Sequence, residues 1–155
     1  MQNKSVLFVC TGNICRSPAC EAICHKLTNG SVMVDSAAIS SHHRNESPDE
    51  RTQAICLKHN VDISQHRARQ IRADDWLLFD FVVALDENIY NTLIQMKPLN
   101  SKAQVLLYAP PHGIHDPYFG GRTGFSKMYQ DIVNTMPEFL KQNNIYSMQN
   151  TLISM

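Results

Sequence analysis

Two residues six positions apart, Cys10 and Arg16, have side chains suited to chemistry on a phosphate group. Between them lie Gly12 and Asn13, which tolerate left-handed backbone conformations and therefore predict a tight loop. Inward-facing amides of such a loop form a concave anion site, and its positive field favours the thiolate form of Cys10. The guanidinium of Arg16 can grip two phosphate oxygens. The spacing predicts a nucleophile and an anion clamp in one cradle.

The flanking segments place this loop between a strand and a helix. The apolar run from Val6 to Val9 predicts a buried strand that stops at Cys10. Ser17 and Pro18 predict a helix start, with Ser17 as N-cap and Pro18 at the first helical position. The Ser17 hydroxyl could also donate to the thiolate and ease its departure. A lone cysteine that ends a strand is more often a packing residue, but this context favours catalysis.

The composition is that of a single domain in a reducing compartment. The chain has 155 residues, formal net charge zero and five cysteines. Balanced charge does not suggest a nucleic-acid partner, and an odd number of cysteines cannot complete a disulfide framework. The N-terminal MQNKSVLFVC lacks a signal-peptide cleavage pattern, and no apolar stretch is long enough to cross a membrane. We predict a cytoplasmic protein with one domain over residues 1–155.

The segment VLFVCTGNICRSP resembles the phosphate-binding loop of the low-molecular-weight protein tyrosine phosphatases. Further matches extend this resemblance to about Leu140, and the order of residues 143–155 is left open. The resemblance implies that Cys10 forms a phosphocysteine and that Arg16 holds the phosphate. It also implies a substrate-binding loop made of Thr11, Gly12, Asn13, Ile14, Cys15 and Ser17.

Alternating apolar strands and helices predict an α/β fold, a single-domain doubly wound four-stranded parallel sheet with helices on both faces. The resemblance implies the strand order 2-1-3-4. The predicted strands are 6–9, 31–36, 81–85 and 104–108. The predicted helices are 19–27, 47–58, 73–79, one opening at Asp86, and 124–140 with a kink or break between Val133 and Pro137.

A candidate general acid lies in the long Pro- and Gly-rich segment 109–124. Phenolate leaves slowly unless it is protonated, so hydrolysis of an aryl phosphate needs a carboxylic acid beside the ester oxygen. Asp116 is followed by Pro117, which restricts its backbone to extended conformations. Tyr118 and Phe119 offer flat walls for an aromatic ring. Together with the Cys10 loop, this segment matches the general-acid motif of the family.

The resemblance also assigns supporting residues around the loop. Ser36 and His66 match positions that hydrogen-bond the loop asparagine, here Asn13, although His66 also fits an ordinary structural histidine. Asp86 follows a strand, is a plausible N-cap, and matches an aspartate that supports the loop. The segment 36–47 is predicted to form a wall of the active-site mouth, with His42 at its rim.

The predicted activity is hydrolysis of phosphotyrosine in proteins or peptides by a monomeric enzyme that needs neither metal nor other cofactor. Inorganic phosphate and other oxyanions are predicted to inhibit it. Cys15, Cys20, Cys24 and His25 could hold a metal, but their spacing differs from that of structural zinc sites. Ile14 stands where related protein-arginine phosphatases carry Thr, which favours phosphotyrosine.

Three other functions share parts of this pattern. An arsenate reductase would need further cysteines, and residues 73–100 contain none. Phosphocysteine carriers of sugar transport would not need Arg16 or Asp116. A phosphotyrosine-binding module without activity would not need the intact catalytic set. Reversible disulfide formation between Cys10 and Cys15 would add redox control to the phosphatase.

Overall fold

The computed structural model of the protein describes residues 4–146, in which four strands form one parallel sheet. The strands are β1 (Val6–Cys10), β2 (Val34–Ala38), β3 (Phe81–Ala84) and β4 (Gln104–Leu107). Their order is β2-β1-β3-β4, and each neighbouring pair is parallel. The predicted fold class and strand order are therefore confirmed.

Helices cover this sheet on both sides. They are α1 (Arg16–Leu27), α2 (Glu50–Lys58), α3 (Asp75–Leu78), α4 (Glu87–Met96) and α5 (Arg122–Gln142). Helix α1 contacts β1, β2 and α5, whereas α4 contacts β3 and β4. The crossovers from β1 to β2 and from β3 to β4 run in opposite directions, so right-handed connections put α1 and α4 on opposite faces.

Every residue of β1 is buried, as expected for the central strand of a sheet covered on both faces. The ring of Phe8 lies 6.0 Å from that of Tyr108 and 5.9 Å from that of Phe139. These contacts join β1 to the end of β4 and to α5. The strand that carries Cys10 is therefore packed through Phe8 against Tyr108 and α5.

Helix α1 begins earlier than predicted, so Ser17 is not its N-cap. Cys15 occupies the cap position, and Arg16, Ser17 and Pro18 form the first turn. The Ser17 hydroxyl is unavailable for capping because it contacts Cys10 and Asn13. Pro18 is tolerated because amides in the first turn of a helix have no intrahelical partner. The helix thus starts directly after residues 11–15, the loop between β1 and α1 that we call the anion loop. The unpaired amides of the first turn of α1 therefore lie next to this loop.

Helix α2, in contrast, begins later than predicted. Its N-cap is Asp49, whose carboxylate accepts a hydrogen bond from the Arg51 amide at 2.9 Å, and Ser47 and Pro48 lie outside the helix. The Asp49 amide instead donates to the Ile14 carbonyl at 2.9 Å. This bond fixes the start of α2 against the anion loop.

Strand β2 and helix α3 also differ from the predicted bounds. Residues 34–38 of β2 pair in register with residues 6–10 of β1, which moves the strand three residues beyond the predicted start. This register places Ser36 within the sheet, opposite Phe8. Helix α3 is shorter than predicted because Phe79 adopts an extended conformation.

The predicted kink or break near Pro137 does not interrupt α5, which runs from Arg122 to Gln142 as one helix. An internal proline costs a helix about 3 kcal/mol. Met136, Phe139 and Leu140 are buried around it, and each contributes about 1.5–3 kcal/mol. Packing of the last turns therefore outweighs the defect.

After α5 the chain folds back on the core. The Ile145 amide donates to the Leu140 carbonyl at 2.9 Å, and the Ile145 side chain is buried. The rest of the predicted irregular tail, residues 147–155, lies outside the described residues. Within residues 4–146, no helix combines the length and apolar character needed to cross a bilayer.

Candidate active site

The candidate site lies at the carboxyl end of β1, between the crossovers that leave the sheet in opposite directions. Ligands of open α/β sheets bind at such a position. A cavity of about 530 Å³ opens there. Its lining combines the anion loop, the segment after β2 and the segment before α5: Cys10, Thr11, Gly12, Ile14, Cys15, Arg16, Ser40, His42, His43, Asp116, Tyr118 and Phe119.

Cys10 ends β1 and is 3% exposed, yet it lines the cavity. The Asn13 amide donates to its Sγ at 3.2 Å, and the Ser17 Oγ lies 2.9 Å from the same sulfur. The Ser17 oxygen also accepts a hydrogen bond from the Asn13 side chain at 2.7 Å, which leaves the Ser17 hydrogen available to the sulfur. Both contacts can stabilise negative charge on the sulfur.

Asn13 holds the loop in its left-handed conformation, with φ of 58°. Its Nδ2 donates to the hydroxyls of Ser17 at 2.7 Å and Ser36 at 3.0 Å, and its Oδ1 accepts from the Arg69 amide at 3.1 Å. Its carbonyl accepts from His66 Nε2 at 3.2 Å. A strained residue persists only where its surroundings over-determine it, and these four bonds do so.

A partly buried carboxyl, that of Glu21, lies behind this network with 29% of its side chain exposed. The Ser36 hydroxyl donates to its Oε1 at 2.6 Å. Burial raises the pKa of Glu21 to about 7, against the lowering effect of that hydrogen bond. His66 Nδ1 is 3.8 Å from the same oxygen. Burial also lowers the pKa of His66 below its usual 6.5, so at neutral pH its Nε2–H donates to Asn13 without a positive charge on the ring.

Arg16 is 2% exposed and lies beside the anion loop. Its Nη1 donates to Asp86 at 2.7 Å and to the Ile114 carbonyl at 3.1 Å, while Nη2 is 3.6 Å from an Asp116 oxygen. Burial alone lowers the pKa of the guanidinium, but the negative charges of Cys10, Asp86 and Asp116 outweigh it and raise this pKa. The guanidinium therefore stays charged in the interior.

Asp86 orients Arg16 from the start of α4. It is the N-cap of that helix, as predicted, and its Oδ1 accepts from the Ile89 amide at 2.9 Å. Its Oδ2 remains for Arg16. One carboxylate thus serves a helix end and the guanidinium together.

The segment that carries Asp116 is anchored against the same place. The Ile114 amide donates to the Leu85 carbonyl at 2.8 Å. Gly113 has φ of 79°, and a Cβ there would lie 2.2 Å from that carbonyl oxygen, so only glycine fits. Three residues after Gly113, Asp116 Oδ1 accepts from the Tyr118 amide at 3.1 Å, and the Asp116 side chain is 41% exposed. The carboxyl therefore stands at the open side of the cavity.

Aromatic rings form the cavity walls. Tyr118 and Phe119 pack edge to face with centroids 4.9 Å apart, and His42 and His43 do so at 4.7 Å. Gly12 permits this arrangement, because a Cβ there would lie 2.8 Å from the His43 ring. The result is a narrow slot with an anion site at its floor.

Most of the predicted loop residues line one cavity with Asp116, His42, Tyr118 and Phe119. Asn13 and Ser17, also predicted to bind substrate, are fully buried outside its lining and support the loop from behind, as do Ser36, His66 and Asp86. Sequence reasoning missed Glu21 and the backbone role of Arg69 in this site, whereas Ser40 and His43 belong to the segment 36–47 predicted as its wall. Glu21 follows Ser17 by one helical turn, which was the available signal.

All five cysteines are free and buried. In the described part of the chain, no three His, Cys, Asp or Glu side chains are grouped so that they could hold a metal ion. Cys20 and Cys24 lie on the buried face of α1, as packing residues would. The site is thus a cavity at the carboxyl end of β1 in an α/β domain, with Cys10, Arg16 and Asp116 in its lining.

Comparisons with known proteins place this domain in a family. A family profile described as low molecular weight phosphotyrosine protein phosphatase matches residues 5–147. The low molecular weight phosphotyrosine protein phosphatase of Sus scrofa is 38% identical over 151 residues, covering 90% of this chain and 95% of that protein. The chain therefore belongs to the low molecular weight phosphotyrosine protein phosphatase family and is a protein phosphatase, a class of hydrolase.

Solved structures agree with this assignment. The solution structure of the low molecular weight protein tyrosine phosphatase from Tritrichomonas foetus has a TM-score of 0.82 and 46% identity, covering 94% of this chain and 99% of that one. The crystal structure of DARP, a drosophila arginine phosphatase, also has a TM-score of 0.82, with 32% identity, covering 89% of this chain and 96% of that one.

Proposed function

We propose that this protein hydrolyses phosphotyrosine and related aryl phosphates through a phosphocysteine intermediate on Cys10. The observation that carries the proposal is the convergence of three groups on one cavity. The Cys10 sulfur lies within hydrogen-bond distance of Ser17 and the Asn13 amide, the Arg16 guanidinium is buried in the same lining, and the Asp116 carboxyl lines the cavity 3.6 Å from Arg16.

In the first step, the Cys10 thiolate attacks phosphorus in line with the ester oxygen. The S–P bond forms as the P–O bond to the aryl group breaks. Loop amides and Arg16 hold the three equatorial oxygens as negative charge spreads over them. Asp116, in its protonated form, gives its proton to the departing phenol oxygen.

In the second step, water attacks the phosphocysteine. Asp116, now a carboxylate, takes a proton from that water, and the S–P bond breaks to release phosphate and the Cys10 thiolate. The Ser17 hydroxyl, 2.9 Å from the sulfur, stabilises the thiolate as it leaves. The enzyme returns to its starting state with Asp116 protonated.

The cavity walls support an aryl substrate. Tyr118 and Phe119 stand at right angles at the mouth, and a planar ring can pack against one of them while its phosphate reaches the floor. DARP is an arginine phosphatase of the same fold, so phosphoarginine is the competing substrate. Ile14 lines the cavity, where its apolar side chain suits a phenyl ring better than a charged guanidino group.

The remaining predictions belong to this proposal. Phosphotyrosine-containing proteins or peptides are the expected substrates, and inorganic phosphate and other oxyanions the expected inhibitors. A monomer in the cytoplasm, where Cys10 stays reduced, is the expected state.

Redox control through Cys10 and Cys15 also stays a prediction. Burial and the nearby Asp49 raise the pKa of Cys15 to about 12, so Cys15 is the thiol and Cys10 the reactive partner.

The test is phosphate release from matched peptides that carry phosphotyrosine, phosphoarginine or phosphoserine, in buffer containing a chelator. We expect turnover of phosphotyrosine to exceed that of the other two, together with hydrolysis of p-nitrophenyl phosphate. Faster release from phosphoarginine would transfer the assignment to that substrate. Tight binding of the phosphotyrosine peptide without release would indicate a binding module instead.

A further inference from the structure

Arg51, in the first turn of α2, bonds to the segment that follows Asp116. Its Nη2 donates to the Tyr118 carbonyl at 3.0 Å, and its Nη1 donates to the Gly120 carbonyl at 2.9 Å. The bonded residues are 67 and 69 positions away in the chain. One side chain thus fixes both sides of Phe119, at the rim of the cavity.

The other edge of the same guanidinium grips Asp49. Arg51 Nε donates to Oδ1 at 3.0 Å and Nη2 to Oδ2 at 2.9 Å. These bonds lower the pKa of Asp49 and keep the carboxylate charged. The Asp49 amide in turn donates to the Ile14 carbonyl in the anion loop at 2.9 Å. A continuous path therefore runs from the anion loop through Asp49 and Arg51 to the Tyr118 backbone.

The position of Arg51 is further restricted by aromatic rings. Its guanidinium carbon lies 4.2 Å from the Phe125 centroid and 5.8 Å from the Tyr118 centroid. Phe125 is buried in α5 and forms a fixed surface. A planar cation held by a carboxylate, two carbonyls and a ring face has little freedom to move.

The segment needs such support because little else buries it. Asp116 is 41% exposed and Phe119 is 95% exposed. A general acid must lie within hydrogen-bond reach of the ester oxygen, and a displacement of about 1 Å can cost about a hundredfold in rate. The Tyr118 amide donates to the Asp116 carboxylate at 3.1 Å and so orients it. The carbonyl of the same residue, Tyr118, accepts from Arg51.

We propose that Arg51 is a positioning residue that holds residues 116–120 over the anion loop, so that the Asp116 carboxyl meets the leaving oxygen. Arg51 touches neither phosphate nor thiolate and acts through the Tyr118 and Gly120 backbone. The inference rests on the proposed function, in which Asp116 is the acid. It predicts that loss of Arg51 damages proton donation and spares phosphate binding.

The test compares kcat/KM for phenyl phosphate, whose leaving group needs a proton, with dinitrophenyl phosphate, whose leaving group does not. For Arg51→Met we expect a loss of about tenfold with phenyl phosphate and less than about twofold with the dinitrophenyl ester. The inhibition constant for inorganic phosphate stays the same. Arg51→Lys recovers part of the loss, because an ammonium group can still donate to one carbonyl.

The control is Arg122→Met. Arg122 is an arginine close to the same rim whose side chain is 68% exposed and lies 3.9 Å from Glu50. The Arg122→Met substitution should leave kcat/KM for both esters unchanged. In an Asp116→Ala background, Arg51→Met should cause no further loss with phenyl phosphate, because the acid it positions is gone.

Equal losses with both esters, weakened phosphate inhibition, or an additive effect in the Asp116→Ala background would overturn the role of Arg51. Thermal unfolding of both Arg51 variants distinguishes a loss of positioning from a loss of folded protein. If Arg51→Met is unfolded, the same comparison of the two esters is made with Arg51→Lys. The proposed function fails separately, when the unaltered protein hydrolyses neither ester or when Asp116→Ala affects both equally.

Discussion

Two groups lie within hydrogen-bond distance of the Cys10 sulfur, the Asn13 amide in the loop and the Ser17 hydroxyl in the first turn of α1. Arg16 adds a buried positive charge that three anionic groups keep protonated. The same donors that favour the thiolate also suit the oxygens of a phosphate dianion. At the scale of single residues, activation of the nucleophile and recognition of the substrate therefore depend on the same groups.

Asp116→Ala tests the acid directly. We expect kcat/KM for phenyl phosphate to fall about a hundredfold, since proton donation contributes about 10²–10⁴ in rate. The loss for dinitrophenyl phosphate should stay below about threefold, because that leaving group departs unprotonated. Steady-state kinetics over a series of aryl phosphates measures this. Asp131→Ala, which removes a carboxylate paired with Lys127 on α5, is the control. A uniform loss across the series would contradict the assignment.

Most residues that touch the phosphate site could be predicted because they are contiguous. Residues 10–17 form one motif, and Asp116 stands in a second. Arg51 and Arg69 could not be found in this way, since their roles depend on contacts with segments 67 and 56 residues away. Glu21 was missed because a carboxyl on a helix is usually exposed.

At the scale of elements, the anion loop is held by a neighbouring strand and by the segment 66–69. Ser36 of β2 and the backbone of Arg69 both bond the Asn13 side chain. The in-register pairing of β2 with β1 is what brings Ser36 there. Loop geometry therefore depends on the sheet, which explains why strand bounds matter for catalysis.

Asn13→Ala should lower kcat/KM about tenfold to a hundredfold and weaken inhibition by inorganic phosphate, because the loop loses three side-chain hydrogen bonds. Asn45→Ala is a matched control. Asn45 also has a left-handed backbone, with φ of 69°, but lies in an exposed turn. Its replacement should cost about 1 kcal/mol of unfolding free energy and leave kcat/KM unchanged. Equal kinetic effects of the two variants would contradict a specific role of Asn13.

Element types could be predicted from hydrophobic pattern, whereas element ends could not. Helix α2 starts where the Arg51 amide meets the Asp49 carboxylate, and α1 starts directly after Cys15 without a side-chain cap. The preference of Ser-Pro for helix starts does not include such tertiary placement. The continuity of α5 through Pro137 depends on burial of the turn beyond it, which is a property of the folded core.

At the scale of the molecule, the site imposes a cost on stability. The Glu21 carboxyl is partly buried behind the loop, and its pKa of about 7 in the folded protein exceeds the ordinary value of 4.5. A folded state that binds protons more tightly loses stability as pH rises. The cost is absent below about pH 4.5, grows up to about pH 7 and is complete above it.

Glu21→Gln should remove this pH dependence, because the amide still accepts from Ser36 without carrying a charge. We expect the variant to be more stable than the unaltered protein by on the order of 2 kcal/mol at about pH 8, and by little at about pH 5. Urea unfolding at both pH values measures the difference. Glu138→Gln, at an exposed position of α5, controls for the loss of a surface carboxylate. A stability difference that is the same at both pH values would contradict the cost assigned to Glu21.

The parallel α/β class followed from the order of apolar strands and helices, but strand order did not. It came from the resemblance of VLFVCTGNICRSP to a known family, since hydrophobic pattern alone does not say which strands are neighbours. The two halves of the site, 100 residues apart, meet because β1 lies beside β3 and the segment after β4 returns over Asp86.

The central claim is that Cys10 carries the phosphoryl group during turnover. Rapid acid quenching during hydrolysis of p-nitrophenyl phosphate, followed by peptide mass spectrometry, tests it most directly. We predict one phosphoryl group per trapped enzyme, on Cys10, and neither adduct nor turnover in Cys10→Ser, whereas Cys56→Ser behaves as the unaltered protein. Turnover by Cys10→Ser, or a phosphoryl group on any other residue, would contradict the account.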